Sequence, residues 1–231
     1  MTLAPRVTAC ADAIIRRIGQ LDNPYLAALS TGAMSKECFC VTQEQFFFAV
    51  RYFPRPMAAL IARMPDPGQR IDILQNIVEE HGKFREDQFH ANTFRLFLNS
   101  IGARGHDTAT LPMWPAVHAF NSILMAACAH DELEAGVCCL GIIEHAFAHI
   151  SARIGKAVVD LRWVSPDKLV HYTTHAELDL RHAEEFFATV EPAWDDDRRR
   201  VAILQGLELG AYALDQLYRG MYVQGKANVP K

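Results

Sequence analysis

The sequence lacks the features that mark several classes of protein. No stretch of about 20 apolar residues escapes interruption by charge, so no transmembrane helix is expected. Residues 1–20 lack the basic start and the apolar block of a signal peptide. The basic residues are scattered and the formal net charge is -4, which argues against nucleic-acid binding. These absences predict a soluble cytoplasmic protein with neither a membrane nor a nucleic acid as its partner.

The cysteines show no pattern of a disulfide framework or a zinc site. None of them forms a Cys-x-x-Cys pair, and Cys138 and Cys139 adjoin within an apolar stretch. We therefore expect reduced cysteines in the core, as is usual in the cytoplasm. The six cysteines are Cys10, Cys38, Cys40, Cys128, Cys138 and Cys139.

Strand-like alternation is nearly absent, whereas apolar residues recur at helical spacing along the chain. No repeat, low-complexity tract or long linker divides the sequence, and 50% hydrophobic residues can bury a substantial core. The pattern predicts an all-α fold with one domain over residues 1–231, a bundle of seven or eight helices. The predicted helical segments cover residues 7–20, 25–29, 36–63, 68–81, 87–100, 116–129, 132–159, 165–190 and 197–222. Pro54 and Pro56 should kink or break the segment over residues 36–63.

The strongest local signal is the motif His175-x-x-x-Asp179-x-x-His182. A helix turns about 100° per residue, so positions i, i+4 and i+7 share one narrow stripe. Two imidazoles and a carboxylate therefore project from one face of a helix that continues into the apolar pair Phe186-Phe187. A water-exposed polar face would explain the motif less well, because histidine is an uncommon choice for that purpose. The pattern favours a metal site.

Three residues elsewhere in the sequence could complete this site. Glu144 lies in a strongly apolar context, where an ionised carboxylate needs a cation or an ion-pair partner. Glu80 ends a predicted helix and His90 follows ten positions later, so the two meet only if the helix breaks at Gly82. Glu79 is the alternative to Glu80 if the register of the helix differs.

Three carboxylates and three imidazoles form a ligand set that suits iron or manganese, whereas structural zinc usually recruits cysteine. Six ligands are enough for two metal ions if carboxylates bridge them, and open positions remain for dioxygen. Two Fe(II) ions can deliver two electrons to dioxygen without haem or flavin. The residues thus favour a di-iron oxidase or oxygenase.

In order and spacing, the six candidate residues resemble the ligand signature of the haem-oxygenase-like di-iron oxidases and oxygenases. This family shares its fold with haem oxygenase, TenA and PqqC, and the resemblance covers most of the chain. It extends to the turn Ser30-Thr31-Gly32 and to the segment over residues 76–80. The ligands and catalytic residues that it implies are Glu80, His90, Glu144, His175, Asp179 and His182.

The resemblance also implies a function. Members of the family activate dioxygen at two iron ions, oxidise small molecules and are often homodimers. For this chain we expect two iron ions, with manganese as an alternative in one site, an external electron donor and a homodimer. For this chain we predict N-oxygenation of an amine or amino acid in specialised metabolism, with oxidative C–C cleavage as the alternative. Some relatives add a carboxylate ligand from the second long helix. Glu44 is the residue at that place, although a solvated glutamate is the stronger interpretation.

One group of relatives makes p-aminobenzoate from a tyrosine of the protein itself, with the help of a lysine. Leu26 and Ile154 occupy the positions expected for these two residues, although Tyr25 and Lys156 lie nearby. This departure argues against self-sacrificing chemistry without excluding it.

Other functions remain open at this point. A ferritin-like di-iron bundle would use Asp87 in place of His175, through Asp-x-x-His pairs. A metal-free enzyme of the TenA or PqqC type would need a reactive cysteine or a dense basic cluster, and neither is evident in the sequence. A haem oxygenase would need a proximal histidine on the first helix, which residues 7–20 do not contain. The remaining nearby histidines, His81, His145, His149 and His171, are expected to support the ligands or to lie on the surface.

Overall fold

Helices make up the regular structure of this chain throughout the residues that the computed structural model describes, 4–103 and 110–228. The helices are α1 (Pro5–Ile18), α2 (Pro24–Ser30), α3 (Lys36–Tyr52), α4 (Pro54–Arg63), α5 (Ile71–Glu80), α6 (His90–Ile101), α7 (Pro115–Ala129), α8 (Leu133–Asp160), α9 (Val170–Val190) and α10 (Asp197–Asn228). Within these residues no strand occurs, so the all-α class is confirmed.

The break predicted at the prolines of the segment over residues 36–63 is confirmed, because α3 ends at Tyr52 and α4 begins at Pro54. A proline ring has no amide hydrogen to donate, so it begins a helix more readily than it continues one. The predicted helix start at Ser165, in contrast, is displaced. A short 3-10 turn covers Pro166–Lys168, and the α-helix itself begins at Val170.

Helix α8 lies at the centre of the bundle, packed between α9 and α10. Glycines allow the close approach. A Cβ atom at Gly206 of α10 would lie 2.2 Å from the carbonyl oxygen of Ala135, and one at Gly141 of α8 would lie 2.7 Å from the ring of Phe187. By length and composition α8 could cross a membrane, but 78% of its most apolar 18-residue stretch is buried inside the protein. Its apolar character is therefore accounted for by its central position.

The break predicted at Gly82 is present, and it separates two residues of the candidate site, Glu80 at the end of α5 and His90 at the start of α6. Helix α5 ends at Glu80, and the chain then passes through Gly82 at φ +56, Lys83 at φ 52 and Phe84 at φ 68. Such left-handed conformations turn the chain sharply. A Cβ atom at Gly82 would also lie 2.5 Å from the backbone of Gln88, so the returning chain crosses directly over this glycine.

Replacing Gly206 with alanine should separate α10 from α8. The new methyl group would overlap backbone atoms of Ala135, which cannot move aside as a side chain can. We expect the free energy of unfolding to fall by about 1–3 kcal/mol, the usual cost of overpacking. The measurement is chemical denaturation followed by circular dichroism.

Gly155→Ala is the matched control, since its Cβ atom would meet its nearest neighbours at 3.7 and 3.8 Å, an ordinary contact distance. We expect it to leave stability unchanged or to raise it by up to about 1 kcal/mol through helix propensity. Equal stability of the two variants would contradict the close packing of α8 and α10.

Candidate metal centre

The three residues of the motif on α9 all face the interior. His175 keeps 6% of its surface exposed, while Asp179 and His182 are completely buried. The shared stripe arises from their spacing of four and three residues, as predicted. The stripe faces α8 and the end of α5, which bring the other carboxylates to it.

The structure brings all six predicted residues together in two groups of three. In each group one donor atom per residue lies within 4.8 Å of the donor atoms of the other two. The first triad is Glu80, His90 and His175, and the second triad is Glu144, Asp179 and His182. The residues come from the end of α5, the start of α6, the middle of α8 and the stripe on α9.

Several donor atoms of the triads lack a hydrogen-bond partner among the described residues although they are buried. These atoms are Nε2 of His175, Oδ2 of Asp179 and Nδ1 of His182. His182 Nδ1 lies 3.8 Å from Glu144 Oε1 and 4.0 Å from Asp179 Oδ1, too far for hydrogen bonds. Two ligand atoms that each lie ~2.1 Å from a shared ion can be up to ~4.2 Å apart. The spacing therefore fits a metal ion between them.

The electrostatics of the triads also fit bound cations. Burial, together with the negative charge of neighbouring carboxylates, holds the pKa of Glu144 and of Asp179 well above their usual range. Burial opposes ionisation of Glu80 as well, but the adjacent His90 outweighs it and lowers the pKa of Glu80 to about 2. Burial lowers the pKa of His175 and of His182, which favours the neutral imidazole that binds metals. A cation would relieve the repulsion between the carboxylates, so the donor set fits iron.

Two residues outside the triads orient the second one. Glu79 accepts a hydrogen bond from His182 Nε2 at 2.7 Å and also pairs with Arg181. This contact leaves Nδ1 of His182 directed at Glu144 and Asp179. Asn76 donates from Nδ2 to Glu144 Oε1 at 3.1 Å. Glu80 is therefore a member of the first triad, whereas Glu79 belongs to neither triad and contacts His182 of the second. Of the two glutamates that the sequence left as alternatives, the structure places Glu80 in the candidate site.

Other predicted positions belong to neither triad. Glu44 is in neither of them, and the expectation that it is solvated is wrong, because only 7% of its surface is exposed. Asp87, the ligand of the ferritin-like alternative, is exposed and pairs with Arg85 at 3.3 Å. His171 is buried, and its ring lies 4.3 Å from that of His175. Its closeness to the site follows from the helical spacing of four residues between the two.

A cavity of about 50 Å³ adjoins the triads. Most of its walls are apolar, with Phe46 and Phe53 of the first half of the chain facing Phe120 and Phe147. Glu80 and His175 of the first triad and Glu144 of the second also line it. A small molecule in this cavity would therefore contact residues of both triads.

Comparison with known proteins gives the family. The model of a family described as "Iron-containing redox enzyme" matches residues 42–215 of this chain. The chain belongs to this family. The matched region contains both triads and the residues that line the cavity. The family supports iron as the metal that the triads would hold.

Two proteins with sequences similar to this chain are named 4-aminobenzoate synthase. The chain is 25% identical to 4-aminobenzoate synthase of Chlamydia muridarum over 191 residues, which are 82% of this chain and 80% of that protein. It is 22% identical to 4-aminobenzoate synthase of Nitrosomonas europaea over 229 residues, 94% of this chain and 92% of the relative.

Solved structures confirm the haem-oxygenase-like fold. A TenA homologue from Pseudomonas syringae pv. tomato has a TM-score of 0.74 at 15% identity, covering 94% of this chain and 90% of its own. A CADD-like protein of unknown function from Nostoc punctiforme has a TM-score of 0.76 at 14% identity, covering 96% and 98%. At these identities the likeness concerns the fold alone.

Replacing Glu79 with alanine should weaken metal binding without removing a ligand. Loss of its hydrogen bond frees the ring of His182 to turn away from Glu144 and Asp179. Losing such a supporting contact typically costs 10–100-fold in metal affinity. We expect this loss for Fe(II) in an anaerobic competition with a chelator, whereas Glu79→Gln should retain most of the affinity because its amide oxygen still accepts the bond.

Glu184→Ala is the matched control, since Glu184 is exposed two residues beyond His182 on α9. It should leave the affinity for Fe(II) unchanged. If Glu79→Ala binds iron as tightly as the wild-type protein, Glu79 has no part in orienting His182.

Proposed function

We propose that the two triads bind a pair of iron ions and that the protein uses dioxygen to oxidise a small molecule, with N-oxygenation of an amine as the outcome. The observation that carries this proposal is the apolar cavity bordered by ligands of both triads. Membership of a family of iron-containing redox enzymes supports the metal and the class of reaction.

The residues of this chain have separate tasks in the proposal. The first triad would hold one iron ion and the second triad the other, while manganese is an alternative in one position. Bound iron would supply electrons to dioxygen, and an external donor would restore them. Asn76 and Glu79 orient Glu144 and His182 by hydrogen bonds. Phe46 and Phe147 keep bulk water from the reacting end of the cavity.

The lining of the cavity favours an amine as the group that is oxidised. It contains carboxylates and imidazoles but neither lysine nor arginine. A carboxylate substrate would find no counter-ion there other than the metal, whereas a neutral amine nitrogen needs none. Oxidative C–C cleavage is the alternative outcome at the same centre.

Counting bound iron tests the centre itself. After anaerobic loading with Fe(II) and removal of the excess, we expect about two iron ions per chain in the wild-type protein. Asp179→Ala should lower the count sharply, because Asp179 is completely buried within the second triad. Asp167→Ala, at an exposed position before α9, is the control and should bind as much iron as the wild type. A wild-type protein that binds no iron would contradict the proposal and favour a metal-free enzyme of the TenA or PqqC type.

A second candidate function is 4-aminobenzoate synthesis, which the names of the relatives favour. The positions expected for a consumed tyrosine and its lysine hold Leu26 and Ile154, both completely buried. The hydroxyl group of Tyr25 lies 2.8 Å from Thr42 Oγ1 and accepts a hydrogen bond from Gln43 at 2.8 Å. These features favour oxidation of a separate small molecule over oxidation of a tyrosine of the chain.

Product analysis separates the two functions. Iron-loaded protein given dioxygen and a reductant, with no added substrate, should release no 4-aminobenzoate by mass spectrometry. If it does release this product, Tyr25→Phe should be compared with Tyr212→Phe, which alters an exposed tyrosine of α10. Loss of the product in the first variant alone would establish the second candidate and overturn the first.

A further inference from the structure

The polar groups that line the apolar cavity are few. Eight of its twelve lining residues are apolar, and three of the other four belong to the triads. The fourth is His171, which the function proposed above does not use. It lies one turn before His175 on α9, and the donor-atom distances place it in neither triad.

His171 presents a buried nitrogen that has no partner among the described residues. Only 1% of its surface is exposed, and Nε2 makes no hydrogen bond with them. Nδ1 lies 3.5 Å from Thr93 Oγ1, at the limit of a hydrogen bond. The ring is fixed by contact with Phe94, whose centroid is 4.7 Å away, and with His175 at 4.3 Å. A buried polar atom left unpaired is destabilising, so an unpaired nitrogen at the wall of a cavity points to a ligand.

The surroundings of His171 restrict the chemistry of that ligand. The charged side chains of the lining, Glu80 and Glu144, both belong to the triads, and the lining contains neither lysine nor arginine. A carboxylate placed beside His171 would thus be buried without a cationic side chain, and an ammonium group would compete with the metal ions for the two carboxylates. An uncharged hydroxyl or amine group would instead pair with Nε2 at little cost, since neutral imidazole can donate or accept.

The size of the cavity restricts the ligand further. Its volume of about 50 Å³ is well below the ~150 Å³ of a cavity that admits benzene. Val50 and Phe53 at its edge are only half-buried, so a slender chain can extend past them. The shape therefore suits a narrow aliphatic molecule better than a bulky one.

We infer that His171 binds the polar group of the substrate, and that the substrate is a small, slender molecule with one uncharged hydrogen-bonding group and an otherwise apolar surface. This inference rests on the proposed function, since it places the polar group beside the triad residue His175. It also argues against an amino acid as the substrate, because the amino and carboxylate groups of an amino acid are both ionised near neutral pH.

Binding of three probes with the same five-carbon chain tests the inference without turnover. The probes are 1-pentanol, pentanoate and L-norvaline, whose head groups are respectively uncharged, anionic and zwitterionic. Dissociation constants are measured by ligand-observed NMR, in the absence of oxygen, on metal-free protein and on protein loaded with Fe(II). Of the three probes, we expect 1-pentanol to have the lowest dissociation constant for the metal-free protein. We also expect it to bind more tightly than L-norvaline to both the metal-free and the Fe(II)-loaded protein.

Substitution of His171 then identifies the contact. His171→Phe keeps a ring but removes the hydrogen bond, and it should weaken binding of 1-pentanol about tenfold, equivalent to about 1.4 kcal/mol. His171→Gln retains a polar group and should recover part of this loss. His149→Phe, at an exposed position outside the cavity, is the control and should bind as the wild type does.

The outcomes are distinct. Unchanged binding of 1-pentanol in His171→Phe, tighter binding of L-norvaline, or no binding of any probe would each overturn the inference. Melting temperatures of the variants reveal whether weaker binding reflects a damaged fold. A protein that binds no iron but still binds 1-pentanol through His171 would contradict the di-iron function while leaving the polar contact in place.

Discussion

The structure is organised around the burial of three carboxylates, Glu80, Glu144 and Asp179, in the middle of a helical bundle. Removing an ionised carboxylate from water costs several kcal/mol unless an opposite charge or several hydrogen bonds compensate it. Each carboxylate has one close polar partner, His90 at 2.9 Å for Glu80, Asn76 at 3.1 Å for Glu144 and His175 at 2.8 Å for Asp179. The nearby Arg181 pairs with Glu79 and Glu185 instead. Burial, together with repulsion from neighbouring carboxylates, raises the pKa of Glu144 and of Asp179, so bound cations would stabilise their ionised forms.

The packing of the central helix fixes where those carboxylates meet. Glycines bring α8 close to its neighbours, as at Gly141 against Phe187 of α9. This contact fixes how far along the axis of α8 Glu144 lies relative to Asp179 and His182 on α9. On the other side of the site, the crossing at Gly82 returns the chain so that His90 reaches Glu80. A bundle with looser packing would not hold the donor atoms of each triad within 4.8 Å of one another.

Four of the triad residues leave a local trace in the sequence, whereas Glu80 stayed open to Glu79 as its alternative and the full set of six came from the family resemblance. Helical spacing joins His175, Asp179 and His182, and the apolar surroundings mark Glu144. Contacts between distant helices leave no such trace. The pairing of Glu79 with His182, for example, depends on the distance between α5 and α9, which no local pattern encodes. The fold class followed from periodicity and the break at Pro54 from the proline itself, whereas the late start of α9 depends on competition between helix and turn that periodicity does not resolve.

One ligand set can serve different reactions if the groups that reach it differ. The relatives named as 4-aminobenzoate synthases align with most of this chain, at 22–25% identity. Here the positions where the family resemblance would place a reacting tyrosine and its lysine carry aliphatic side chains, Leu26 and Ile154, which offer no heteroatom. The cavity instead places apolar walls and the single imidazole of His171 beside the triads. Because aliphatic carbon cannot take the role of an amine or a phenol, a molecule from outside the chain is the more economical substrate for this centre.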